Sequence, residues 1–210
     1  MRDPDLRKLR RAVVGISLAA TVTAGCSAAN EATSSDVEHH GAPSVQAAEG
    51  ALVAVGRPAS ATFDLGSFDF GAPVEGVGSH EEGRLASMSW DVYYVLDDGS
   101  VGAWGAGMDV FESVEAARAG AQKLATFWSC SGPRTPLDTI EPETFDYVDA
   151  STCKRPGERG GYYATLSAAD GVVTANLTLG AKDREVAATA LVAVWASLSD
   201  STQKVVAEVG

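Results

Sequence analysis

Histidine, cysteine and long apolar runs are all scarce in this chain. Among 210 residues there are three histidines and three cysteines. His39 and His40 are adjacent in a stretch without apolar periodicity, so only His80 falls where the sequence reads as globular. A Ser–His–acid hydrolase would have to use it, yet no G-x-S-x-G turn accompanies Ser79-His80-Glu81-Glu82. The same tetrapeptide lacks the second histidine of H-E-x-x-H, which leaves a zinc protease unsupported. Cys130 and Cys153 have no third or fourth ligand at zinc-site spacing. There is no Walker-type lysine loop and no Asp-x-Asp-x-Asp-Gly calcium loop. The run Gly102-Ala103-Trp104-Gly105-Ala106-Gly107 lacks the third glycine of a dinucleotide fingerprint. The expectation is no cofactor, no metal and no enzyme activity.

No apolar run approaches the roughly 20 residues of a membrane-spanning helix. What stands at the N-terminus is shorter. Arg7, Lys8, Arg10 and Arg11 form a positive region, Ala12 to Val22 is apolar, and Thr23-Ala24-Gly25 supplies small residues before Cys26. This is the layout of a secretory signal. Ala24-Gly25-Cys26 resembles the core of a bacterial lipobox. That resemblance implies cleavage before Cys26, diacylglycerol on its sulfur, and an extracytoplasmic domain held at the cell membrane by acyl chains. Two such chains meet the requirement for stable anchoring. Arg10-Arg11 leave general secretory and twin-arginine export both open.

Leaving out residues 1–25 removes five of the 16 basic residues and two of the 28 acidic ones, and the remainder carries a net −15. Such a chain repels phosphate backbones, so nucleic acid is excluded as a partner. With Cys26 acylated, Cys130 and Cys153 remain as an even pair, which oxidises outside the cytoplasm. The bond would close a Pro- and Gly-bearing loop and contribute on the order of 3 kcal/mol.

Three regions follow: a signal peptide over 1–25, lipidated Cys26 with a flexible tether to 50, and an α+β domain over 51–210. The tether is rich in Ala, Ser, Glu and Gly. In the domain, Ala61–Phe70 suggests short strands or an irregular edge, and Gly71–Gly83 a loop. Met88–Leu96 alternates with aromatic and β-branched residues, which marks a strand. Asp97-Asp98-Gly99-Ser100 is a turn, and Val101–Val110 returns as a Gly-rich strand whose glycines suggest a bulge or a close approach. Ser113 can cap a helix on which Ala117, Ala121, Leu124 and Trp128 share a face. Short strands follow over 144–150, 161–168 and 172–179, the last two joined at Asp170-Gly171. Asp183 can then cap a helix bearing Ala187, Leu191, Val194 and Leu198. The repeated order predicts an antiparallel sheet of two hairpin–helix units, helices packed on one face, with one disulfide.

The remaining chemistry is apolar and aromatic. Trp90, Tyr94, Trp104 and Tyr163 are candidates to line a cleft between sheet and helices. The segment from Phe111 to Gly132, with Phe127-Trp128-Ser129-Cys130, then Cys153-Lys154-Arg155 and the strand Gly171–Leu179, resembles the extracellular sensor domain of the actinobacterial serine/threonine kinase PknH and its lipoprotein relatives. That resemblance implies a sensor or binding module. The chain carries one cysteine pair in this region where that family tends to carry two disulfides. The expected function is a non-catalytic ligand-binding or sensor-like module, for a small apolar ligand or an envelope protein. The alternatives are a structural or protein-interaction module of the envelope and a hydrolase using paired carboxylates such as Asp64/Asp69 or Asp97/Asp98.

Overall fold

A computed structural model of the protein describes residues 42–76, 81–127, 130–138, 140, 145–157 and 160–210. The segment 1–25 expected to be a signal, Cys26, His39, His40, His80 and Trp128 lie outside the described residues. In chain order the elements are α1 (Val45–Val55), β1 (Ala61–Phe63), β2 (Gly66–Phe70), β3 (Val74–Glu75), β4 (Arg84–Leu96), β5 (Val101–Phe111), α2 (Val114–Phe127), β6 (Thr135–Pro136), β7 (Tyr147–Lys154), β8 (Tyr162–Asp170), β9 (Val173–Ala181) and α3 (Arg184–Val209). The strands form one antiparallel sheet in the order β1-β2-β4-β5-β9-β8-β7-β6, with β3 beside β4. The fold is therefore α+β. It carries a disulfide between Cys130 and Cys153, with Cα atoms 5.7 Å apart.

Both predicted hairpin–helix units are present. β4 turns into β5 at Asp97–Ser100, where Gly99 takes φ +80° and the Asp98 carboxylate accepts from the Ser100 N–H. β8 turns into β9 at Gly171, with φ +52°. Both turns need the left-handed backbone that glycine adopts without steric cost. Ser113 caps α2 by accepting from the Ala116 N–H at 3.1 Å. Asp183 occupies the N-cap position of α3, but its side chain makes no cap bond. Only its backbone carbonyl serves there, accepting from Ala187.

The helices do not share a face, which corrects the one-face expectation. Successive side chains of a strand point to opposite sides, so the register assigns each one. Met88, Trp90 and Val92 of β4, Ala106 and Met108 of β5, Ala175, Leu177 and Leu179 of β9, and Ala164 and Leu166 of β8 share one face. They pack with Leu52 of α1 and with Leu191, Val194 and Leu198 of α3 into the main core. The intervening residues form the other face. There Ser167 donates to the Ala121 carbonyl of α2 at 2.7 Å. Helix α2 lies on this second face through a stripe of small residues, Ala117, Gly120, Ala121 and Ala125. Two units repeating in order suggest a shared face, but order along a chain does not fix which side a helix crosses.

A second correction concerns the tether. Residues 45–50, read as coil, are the first half of α1. Ser44 caps it by accepting from the Ala47 N–H at 3.1 Å, and Ala48, Ala51 and Leu52 bury one face. A stripe dominated by alanine gives weak apolar periodicity, and tertiary burial decides the outcome.

Candidate functional site

The four aromatic residues proposed for a cleft divide. Trp90 is sealed in the main core, edge-on to Phe70 at 6.5 Å. Tyr94, Trp104 and Tyr163 converge where β5 and β9 part, beyond the last paired residues Gly105 and Thr178. The Tyr94 hydroxyl and the Trp104 indole N–H, at 3.2 Å, both donate to the Gly180 carbonyl. Trp104 and Tyr163 meet edge to face at 5.1 Å, and the Arg155 guanidinium lies 5.1 Å from each ring. Burial raises the Tyr94 phenol above its ordinary value, against the pull of the Arg155 charge. These side chains fill the parting between strands. They close the sheet where main-chain pairing stops.

An open groove of about 420 Å³ lies elsewhere, on the second face, between α2 and the β4–β5 hairpin. Its floor comes from Ser87 and Ser89 of β4, Gly105 and Gly107 of β5, and Asn176 and Thr178 of β9. All six have the phase of the second face. A side chain built at Gly105 would meet nothing within 4 Å, whereas one at Gly107 would strike the Asn176 amide. The missing side chain at 105 thus leaves space, and the one at 107 makes room for Asn176. Lys123, Leu124 and Phe127 of α2 form the wall.

Charged groups close one end. Arg84 Nη1 stands 3.3 Å from Asp109 Oδ1, with side chains 12% and 7% exposed. The Thr174 hydroxyl donates to the other Asp109 oxygen at 3.5 Å. Burial raises the Asp109 carboxyl above its ordinary value; the Ser87 hydrogen bond and the Arg84 charge oppose this, and the nearby Glu81 charge adds to it. Lys123 Nζ lies 3.1 Å from Glu81 Oε1, whose side chain is only 6% exposed. Glu81 Oε2 is buried and has no hydrogen-bond partner among the described residues. A buried acceptor without a donor costs about 1–3 kcal/mol, more when charged. Among the described residues no group of three or more metal-ligating side chains occurs, and no helix is long and apolar enough to cross a membrane.

Neither Trp90, Tyr94, Trp104 nor Tyr163 lines this groove. Its residues were missed in sequence because serine, glycine and asparagine on a strand read as weak pattern. A signal was nevertheless present: the odd positions of β5, Gly105, Gly107 and Asp109, are small or polar while Ala106, Met108 and Val110 are apolar. Comparison of the chain with protein-family models, with curated proteins and with solved structures finds no match.

Proposed function

We propose that the protein is a lipid-anchored extracytoplasmic lipoprotein whose α+β domain is a non-catalytic ligand-binding module, sensor-like in the manner of the PknH-type domains it resembles. The groove between α2 and the β4–β5 hairpin is the ligand seat. The observation that carries this reading is the uneven cover of the second face: α2 closes it over β8 and leaves a walled channel, with polar side chains on its floor, beside Gly105. A channel of this size falls within the roughly 300–1,000 Å³ of small-molecule sites. The two carboxylates at its end, Glu81 and Asp109, are each held by a cation. That arrangement favours binding over acid–base hydrolysis.

The anchor is tested by mass spectrometry of the N-terminal peptide. Diacylglyceryl-Cys26 is expected, and a Cys26→Ser chain should move from the membrane to the soluble fraction. An unmodified Cys26 sinks the anchoring claim. The seat is tested by backbone amide spectra of the full-length chain in the presence of small-molecule panels: saturable shifts at Gly105, Gly107 and Thr178 are expected.

A second reading, a protein-interaction module, is favoured by the uncovered end of the same face, where Tyr93, Val95 and Val101 are 50%, 48% and 76% exposed. Neighbouring apolar side chains at this exposure are a contact surface in waiting.

A further inference from the structure

Accepting the groove as a ligand seat, we infer that the ligand is a saccharide, a neutral polyhydroxylated chain of the kind found in envelope glycans. Charge is the first argument. The groove's two cations face its two carboxylates in close pairs, Arg84 with Asp109 and Lys123 with Glu81. Neither an anionic headgroup nor a polycation meets an uncompensated opposite charge there, and desolvating one without a partner is costly. The floor is the second argument. The Asn176 amide both donates and accepts, while Ser87 already donates to Asp109 and Ser89 to the Val74 carbonyl at 3.4 Å, so their hydroxyls remain as acceptors. An acyl chain would pack on the apolar part of the lining but leave these polar groups without partners, at about 1–3 kcal/mol for each. A sugar's hydroxyls donate to the serine oxygens and pair with the Asn176 amide.

The wall and the closed end complete the match. Leu124 and Phe127 offer an apolar flank to the C–H face of a pyranose ring, opposite a floor that takes its hydroxyls. Glu81 Oε2, buried at the channel's end, is an acceptor-only oxygen in need of a donor. A sugar O–H is such a donor, and charge-assisted bonds of this kind are the stronger class. The empty position above Gly105 gives a ring room to sit against the strand.

The test titrates the full-length chain in detergent with N-acetylglucosamine tetrasaccharide and mannotetraose, and separately with palmitate and trilysine, following backbone amides. The expected result is saturable shifts at Gly105, Gly107 and Thr178 with at least one saccharide. Gly105→Leu, which fills the floor, should weaken binding at least tenfold with the spectrum otherwise intact. Should that variant misfold, Glu81→Gln and Asn176→Ala should each weaken binding several-fold. Saturation of the same amides by palmitate or trilysine, with no saccharide effect, overturns the saccharide assignment and leaves the groove as a seat. No shift at these amides with any probe overturns both. Saccharide binding that Gly105→Leu leaves unchanged in a folded chain places the site elsewhere and overturns the assignment to this groove.

Discussion

β8 and β9 are buried almost continuously along their length, whereas β4 alternates between buried and exposed positions. The cause is cover. The β8–β9 half lies between α2 on one side and α3 on the other; the β4–β5 half is fully covered on the core face alone, with α2 reaching its second face at Phe111 and along the groove wall. A strand covered on both faces carries small or apolar residues at nearly every position, and one covered on a single face alternates. The doubly covered half gains its stability from packing. The singly covered half is free to carry serine, glycine and ionisable groups toward solvent, and the groove is built there. The same sheet thus has a half packed on both faces and a half that carries the groove.

Deleting core volume should separate the two halves most sharply. Leu177→Ala, at a fully buried position of β9, is expected to cost about 2–5 kcal/mol. Val95→Ala, on the bare end of β4, should stay within about 0.5 kcal/mol. Urea unfolding of both variants checks this; equal losses would mean that the β4–β5 half is covered in solution. Next in size is the disulfide. Converting Cys130 and Cys153 to serine together should cost about 3 kcal/mol. Hydrogen exchange should quicken at the C-terminal turns of α2, the groove wall, while the β8–β9 amides stay protected. Uniform loss of protection would show that the staple supports the whole fold instead.

Two glycines of one strand give a finer contrast. A Cβ at Gly102 would overlap the Tyr94 ring, whose hydroxyl is committed to Gly180, so Gly102→Ala should cost about 1–3 kcal/mol. Gly105→Ala meets nothing and should change stability by no more than about 0.5 kcal/mol. Thermal unfolding distinguishes them, and similar melting temperatures would remove the assigned difference between plug and groove. The smallest effect is a slope with pH. The Asp109 carboxyl is raised by burial from 3.8. Between 3.8 and the raised value the unfolded chain is ionised there while the native one holds its proton. The stability contributed by Asp109 therefore falls as pH rises through that window and is flat above it. The difference in unfolding free energy between the natural chain and Asp109→Asn should decline across the same window. A rise would mean that Arg84 outweighs burial.

Much of the fold is legible in the residues. Alternation marks β4, Asp98-Gly99 and Asp170-Gly171 mark both hairpin turns, and Ser113 marks the start of α2, because each depends on neighbours within a few positions. The spacing of Ala187, Leu191, Val194 and Leu198 finds the buried face of α3 for the same reason. The start of α1 was hidden by an alanine-rich stripe that becomes a buried face only against β4 and α3. The groove was hidden more deeply. Ser87, Gly107 and Asn176 are remote in sequence and become one floor through the pairings of β4 with β5 and β5 with β9. The aromatic residues drew attention by type, yet type cannot distinguish a lining residue from the plug that Tyr94 and Trp104 make at Gly180.

Sequence by itself determined the α+β class, both hairpins, the helix starts at Ser113 and Asp183, and the pairing of the two domain cysteines. These features are written in local spacing, turn chemistry and parity of cysteines. Tertiary structure alone decided which face each helix covers. A hairpin followed by a helix can fold to either side of the sheet, and the choice is settled by which strand phase buries more apolar surface against it. That choice placed α2 over β8, left the second face of β4 and β5 open, and brought Asp109, Glu81 and Asn176 to one channel.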